Sequence, residues 1–423
     1  MDNFFYKMRL MFTDPMLRKR LLFVIGALVV FRIAASIPIP GVDHVALQQF
    51  FANNQFLGLL NVFSGSGLSN LSIVMLGVGP YITGSIIMQL LTMMSPKLKA
   101  LYHEEGEIGR KKFTQYSRLL TVPLAILQGY GLLVLLARQG VLGALDPFQL
   151  FVNVMIVTAG SLFLMWIGEL ISEFGIGNGV SIIIFAGIVA SIPTATAQTL
   201  VSYNPADLPL YLAFLAAAVA ITAGVIVMTE AERPVPITYA KRVRGGKMYG
   251  GVSTYLPLRV NQAGVIPIIF ALSILLFPQL IGGFLAGLAN PTAQMIGEFI
   301  KANFTSGWIY SICYFVLVFL FTFFYTAVTF DPEAIATNLQ KSGAFIPGVR
   351  PGSATAEHIA KILMRTTFAG ALFLAAIAVL PLAMQSLTGN QTLAIGGTAL
   401  LIVVSVVLDL IKKLDAQLSM REY

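Results

Sequence analysis

Ten separate stretches of this chain are long and apolar enough to cross a bilayer, and nothing between them is large enough for a soluble domain. A bilayer core needs about 20 predominantly apolar residues per helix. Stretches that qualify lie near 20–38, 73–94, 115–137, 151–171, 178–197, 208–228, 263–285, 307–329, 367–387 and 392–411. Composition agrees: 57% of residues are hydrophobic and 11% charged, and the mean hydropathy is +0.82. An ordinary soluble domain is about a quarter charged. The sequence therefore predicts a polytopic, all-α membrane protein. The first apolar run follows some 20 mixed residues, which does not fit a cleavable signal peptide. Residues 1–20 read instead as an interfacial amphipathic segment, with Phe4, Phe5, Met8 and Leu10 among Lys7 and Arg9.

The net charge of +8 is explained by where the cations fall. With the N-terminus placed in the cytoplasm, all of the 27 Lys and Arg residues except Arg32, Arg138 and Lys301 fall on cytoplasmic segments. This is the positive-inside bias, and ten spans return the C-terminus to the cytoplasm. Arg32 lies within the first span, either snorkelling to the outer interface or bonding backbone carbonyls.

Two cytoplasmic connections exceed what topology needs. In Glu230–Pro267, strand-like runs Ile237–Val243 and Lys247–Tyr255 flank Gly245-Gly246, a pair suited to a tight hairpin. Phe330–Arg365 predicts a short helix after Asp331-Pro332 and then a Pro/Gly turn carrying Arg350. These loops are either stop-transfer charge or a docking surface for a large partner. Gly246-Lys247 is no phosphate loop, since position 241 is Lys and Met248 stands where Ser or Thr is required.

The span interiors offer little chemistry. Secondary transporters keep paired ionisable groups near midplane. Here Glu169 and Glu173 belong to the cytoplasmic end of the fourth span, and nothing forms a proton or ion relay. A small-solute transporter remains the alternative reading. No nucleophile–base pair emerges, so the chain does not read as an enzyme. Cys313 is the single cysteine, and His44, His103 and His358 fall in separate predicted loops, which argues against a metal site; no cofactor is implied. Branched apolar residues do repeat on helical faces: Val78 with Ile82, Val180 with Ile184, and Ile266 with Ile269. Alone, these pairs read as core packing. The uncharged segment Phe63–Ser72, rich in Gly and Ser, leads into the second span and is too polar to span anything.

Five motifs carry a family resemblance: "LSNLSIVMLGVGPYITGSIIMQLL", "RKKFTQYSRLL", "GELISEFGIGNGVSIIIFAGIVASIP", "YLPLRVNQAGVIPIIFA" and "LQKSGAFIPGVRPGSAT". In this order, over nearly the whole chain, they resemble the SecY family, the channel-forming subunits of bacterial Sec protein translocases. The resemblance implies two pseudo-symmetric five-helix halves, 1–200 and 201–423, the second with cytoplasmic loops about 230–262 and 330–366. It implies a short re-entrant plug helix at about 63–72, including Phe63, Ser64, Gly65, Ser66, Gly67, Leu68, Ser69 and Asn70. It places Val78, Ile82, Val180, Ile184, Ile266, Ile269 and Ile402 in an apolar pore ring, and Thr83, Gln89 and Asn261 near a lateral gate. Lys241, Arg242, Arg244, Lys247 and Arg350 become candidates for docking a motor or ribosome. The implied partners are SecE, SecG, the SecA motor ATPase, the ribosome, signal-sequence-bearing polypeptides and membrane lipid. The implied site of action is the bacterial cytoplasmic membrane, where unfolded polypeptides cross or enter the bilayer sideways.

Overall fold

Each apolar stretch holds one long helix whose ends are set by local chemistry. The computed structural model describes residues 13–41, 47, 67–68, 70–103, 105–138, 140–143, 146–201, 208–239, 242–244, 247–249, 253–264, 266–286, 290–304, 308–388 and 391–419. The first helix, α1 (Pro15–Ser36), opens on Asp14, whose carboxylate accepts from the Met16 backbone N–H at 2.9 Å. Pro15 follows at a position where its missing N–H is no loss. Of the expected amphipathic segment, residues 1–12 lie outside the described residues, and 15–20 already belong to α1.

The second span is shorter than its apolar run. Helix α2 covers Gly79–Met94, whereas 70–78 form turns and a single bridge. Gly77 takes a φ of 60° and Pro80 stands in the first helical turn, so the chain can enter the helix only there. Apolarity alone extended the expected span back to Ile73. The remaining helices are α3 (Pro96–His103), α4 (Gly106–Arg138), α5 (Pro147–Phe174), α6 (Gly179–Val201) and α7 (Leu208–Glu230). After a run of strands come α8 (Ile266–Ala286), α9 (Pro291–Phe304), α10 (Trp308–Thr329), α11 (Pro332–Lys341), α12 (Ser353–Thr388) and α13 (Gln391–Ser419). Helices α4 and α12 begin well before their apolar runs, because turns bearing charged residues continue the helix beyond them. His103 therefore closes α3 and His358 lies within α12, both helical where loops were expected; His44 lies outside the described residues.

Among the described residues, four helical stretches are long and apolar enough to cross a membrane by length and composition: Gly106–Ala137, Pro147–Phe174, Trp308–Lys341 and Ser353–Ala383. Helix α4 packs between α2 and α5, and α1 lies on α5. Helix α8 touches α2 and α4 on one side and α9 and α10 on the other, while α13 joins α6, α7 and α12.

The two long connections turn out to be one structure. Strands β1 (Glu232–Tyr239) and β4 (Ser253–Arg259) pair antiparallel from Glu232 opposite Arg259 to Thr238 opposite Ser253. Strands β2 (Arg242–Arg244) and β3 (Lys247–Tyr249) resume the same register, with Arg244 opposite Lys247 across Gly245-Gly246. The result, in two short sheets of matching register, is a ribbon of strand pairing more extensive than the two runs expected from sequence. The prolines at 234, 236 and 257 obscured it, yet β5 (Ala344–Phe345) pairs β1 only at Thr238 and Tyr239. Pro234 and Pro236 therefore sit on an unpaired edge, where a missing donor is tolerated. The expected helix after Asp331 is α11, capped by that carboxylate on the Glu333 and Ala334 N–H groups.

Val235, Leu258, Ile346 and Ile359 form the buried centre of this platform, with Phe330, Ile335 and Leu339 packed around it. Truncating Leu258, which is fully buried, to Ala removes contacts from both connections at once. The expected cost is about 2–5 kcal/mol, read as faster hydrogen exchange along both the ribbon and α11. Faster exchange confined to the ribbon would mean that the two connections fold separately.

Candidate functional site

All seven residues expected to line a constriction enter one buried cluster, contributed by α2, α6, α8 and α13. Val78 is the N-cap residue of α2 and Ile82 lies one turn further on. Val180 and Ile184 come from α6, Ile266 and Ile269 from α8, and Ile402 from α13. Val78, Ile184 and Ile402 are at most 1% exposed, whereas Val180 and Ile266 are half-buried at the cluster edge. The side chains of this ring hold no hydrogen-bonding group, so water entering it gives up partners and gains none.

Local sequence sets these helices in place. Asn178 caps α6 by accepting from the Val180 and Ser181 N–H groups at 3.1 and 3.3 Å. The Gly179 N–H donates to Ser172 Oγ at 2.8 Å. A Cβ on Gly179 would stand 1.9 Å from the Gly168 carbonyl oxygen, so the α5–α6 corner closes only on glycine. That corner aims Val180 and Ile184 at the cluster.

A second core lies beside the first, and the irregular chain before α2 runs between them. Leu68, Leu71, Met75 and Leu76 pack on Leu132, Leu133 and Leu136 of α4 and Val154 and Val157 of α5. Val74 and Val78 turn to the ring cluster. The segment is fastened by backbone bonds from Ile39 N–H to the Leu71 carbonyl and from Ile73 N–H to the Ile37 carbonyl. Ser161 Oγ donates to the Gly77 carbonyl at 2.9 Å. Gly160 lets α5 approach so closely that a Cβ there would lie 1.9 Å from the Ile73 oxygen. Of the residues expected in a plug, Phe63, Ser64, Gly65, Ser66 and Ser69 lie outside the described residues. Gly67 and Leu68 are buried in turns and Asn70 is exposed; of 63–72 only 67, 68 and 70–72 are described, as turns and a single bridge. Gly77 and Leu71, both at positive φ, break any helical repeat there.

The three polar residues expected near a gate are each bonded locally. Thr83 Oγ1 donates to the Gly79 carbonyl at 3.0 Å, and Gln89 Nε2 to Ser85 Oγ at 3.4 Å. Asn261 Nδ2 donates to the Gly264 carbonyl at 3.2 Å. Among the described residues, Gln89 Oε1 and Asn261 Oδ1 are buried without a hydrogen-bond partner. Of the basic residues, Lys241 lies outside the described residues, and Arg242, Arg244 and Lys247 fall on the ribbon tip. Arg350 is exposed on a turn between Gly348 and Gly352, both at positive φ, and its carbonyl accepts from Thr355 Oγ1 at 2.8 Å. Sequence reasoning missed two ion pairs that tie helices together: Arg118 Nε to Glu169 Oε1 at 2.5 Å, between α4 and α5, and Lys412 Nζ to Glu230 Oε1 at 2.8 Å, between α13 and α7. Their partners are far apart in sequence, so no spacing announced them.

A large apolar core shared by long apolar helices, with an irregular segment packed beside it, is what a channel-type membrane protein presents. Comparison with known proteins makes the class specific. The SecY family model matches residues 72–411. The SecY protein translocase subunit of Streptomyces coelicolor is 44% identical over 97% of both chains, and that of Mycobacterium tuberculosis 41% over 96% of both. A solved structure of a protein-conducting channel matches with a TM-score of 0.63 at 19% identity, covering 94% of this chain and 91% of that one. A SecY structure concerned with how the plug domain stabilises the closed translocation channel gives 0.65 at 19% identity over the same shares. The chain belongs to the SecY family. It is a protein-conducting channel subunit and not an enzyme.

Proposed function

We propose that seven residues of the large apolar core form the constriction through which unfolded secretory polypeptides pass, and that the buried chain before α2 completes its seal. The convergence of Val78, Ile82, Val180, Ile184, Ile266, Ile269 and Ile402 in one cluster carries this reading. A ring with no hydrogen-bonding group excludes water and ions by dewetting, yet has no means of preferring one side chain to another. That suits substrates sharing only a backbone. In this reading α1, α2, α4, α5, α6, α7, α8, α10, α12 and α13 are ten spans, in halves 1–200 and 201–423. Both termini face the cytoplasm, and the membrane is the bacterial cytoplasmic one. The lateral gate lies between α2 and α4 on one side and α8 and α10 on the other, with Thr83, Gln89 and Asn261 beside it. Contact of α8 with both α2 and α4 is consistent with a closed gate. A stalled translocation intermediate in reconstituted channels tests this directly. Photoreactive residues at Ile82, Ile184 and Ile402 should each crosslink to the passing chain, and crosslinks only from lipid-facing positions would refute the reading.

The cytoplasmic platform is the docking surface for SecA or the ribosome, with SecE and SecG as companion subunits. Canine Sec61, seen in a ribosome–channel complex, shares the fold with a TM-score of 0.59. Support within this chain comes from the turn that displays Arg350, fastened by the Thr355 hydroxyl, and from the shared core of the platform. Arg350→Glu is expected to insert and fold normally while motor-driven transport in proteoliposomes falls about tenfold, on the scale of one lost charge-assisted contact of roughly 1.5–3 kcal/mol. Transport and ribosome binding unchanged after charge reversal at Arg350, Lys241, Arg242, Arg244 and Lys247 together would remove the platform from docking.

A further inference from the structure

Helix α9 has no counterpart among the spans expected from the sequence, yet its faces are sorted by polarity. Its 14 residues make about 21 Å, too short for a bilayer core of about 30 Å. Asn290 caps it, accepting at Oδ1 from the backbone N–H and the hydroxyl of Thr292. One stripe, Ala293, Gly297, Ile300 and Phe304, is turned inward. This stripe meets the far end of α8 at glycine distance. A Cβ on Gly297 would stand 2.2 Å from the Ala286 backbone nitrogen, and one on Gly282 would stand 2.8 Å from Ile300 Cγ2. Gln294 and Glu298, four residues apart, form an exposed polar stripe. Between them runs a third stripe, Met295, Ile296 and Phe299, at 75%, 54% and 67% exposure.

The helix that follows α9 also carries exposed apolar residues. Helix α10 begins at Trp308, which is highly exposed, and presents Ile309, Ile312, Val316 and Leu320 outward at helical spacing. Tryptophan favours the level where headgroups meet hydrocarbon. A helix with one flank packed on protein, one polar and one bearing Met, Ile and Phe matches the surface of a bilayer better than water or a second span. We propose that α9 is an interfacial anchor, lying in the headgroup region of the non-cytoplasmic leaflet and gripping phospholipid through Met295, Ile296 and Phe299. Because α9 and α8 are joined at glycine contact, the anchor fixes the outer end of the gate helix to the membrane surface. The assignment rests on α8 and α10 being spans.

The test uses the full chain, with Cys313→Ala, in phospholipid nanodiscs. A single cysteine carrying a polarity-sensitive fluorophore is placed at Met295, Phe299, Gln294, Glu298 or, as a control, Ile312. Quenching by a nitroxide lipid labelled near the headgroup end of its chain is compared with quenching by aqueous iodide. At 295 and 299 the lipid quencher should exceed iodide by about threefold, with the order reversed at 294 and 298. Iodide reaching 295 and 299 while Ile312 remains lipid-quenched would overturn the anchor and leave the spans standing. Iodide reaching Ile312 as well would mean that the spans themselves are misread. Neither quencher reaching 295 and 299 would mean that protein covers this face, which also overturns the anchor.

Discussion

Channels carrying Ile82→Asn, Ile184→Asn or Ile402→Asn are expected to conduct ions at rest, about 10- to 100-fold above the parent. The estimate follows from burial. Ile184 and Ile402 are each 1% exposed and Ile82 8%, and the seven side chains proposed to line the constriction offer no hydrogen-bond partner. A carboxamide forced into such a place lacks its hydrogen bonds, at a cost of about 1–3 kcal/mol by protein mutational data. Water entering the constriction relieves that cost, so the wetted state gains by the same amount, tenfold for each ~1.4 kcal/mol. Replacement by Leu changes neither polarity nor volume much and should leave conductance near the parent's. Simple core packing predicts something else: Asn variants that unfold or fail to insert, with no current from those that survive. Single-channel recordings on monodisperse, folded material separate the two. Silence in all three variants, with the segment before α2 also deleted, would show that these residues do not form the seal.

The positions of this ring were legible only in part. Spacing revealed that Val78 and Ile82, or Val180 and Ile184, share a helical face, since that depends on one local period. It could not reveal that residues of four such helices enter one apolar core, because that is a property of packing between segments far apart in the chain. The apolar runs marked where helices lie, but not where they start. Gly77 and Pro80 shortened the second span, and the charged turns of α4 and α12 lengthened others. Helix α9 escaped notice because its three stripes give it an average polarity neither low enough for a span nor high enough for a loop. The strand prolines hid a ribbon whose edge pairs with nothing at those positions. Least legible were the glycines: Gly160 and Gly179 look interchangeable with Gly131 in sequence, yet only the first two lie against a neighbouring backbone.

That difference among glycines supports the second large effect. Gly160→Ala is expected to loosen the buried segment 70–78 and open a leak, while Gly131→Ala does neither. Within a helix, replacing Gly by Ala is intrinsically favourable by roughly 1 kcal/mol. A methyl added at Gly131 on α4 would meet nothing within 4 Å, so that gain should appear there as neutral or slightly raised stability. At Gly160 the methyl carbon would sit 1.9 Å from the Ile73 oxygen and 2.7 Å from its carbonyl carbon, where real contacts exceed 3 Å. Neither atom is the flexible end of a side chain, so α5 and the segment must part. The parting strains the Ser161 bond to Gly77 and withdraws Leu71 and Met75 from their packing on α4 and α5. Ser161→Ala tests the fastening separately: one lost hydrogen bond, about 1 kcal/mol, and a leak roughly fivefold above the parent's. Gly160→Leu should be worse than Gly160→Ala, because the added bulk has the same backbone in its way. Conductance measured together with thermal unfolding in detergent distinguishes an unseated segment from a collapsed protein. If Gly160→Ala proves as harmless as Gly131→Ala, close approach of α5 is not what holds the segment in place.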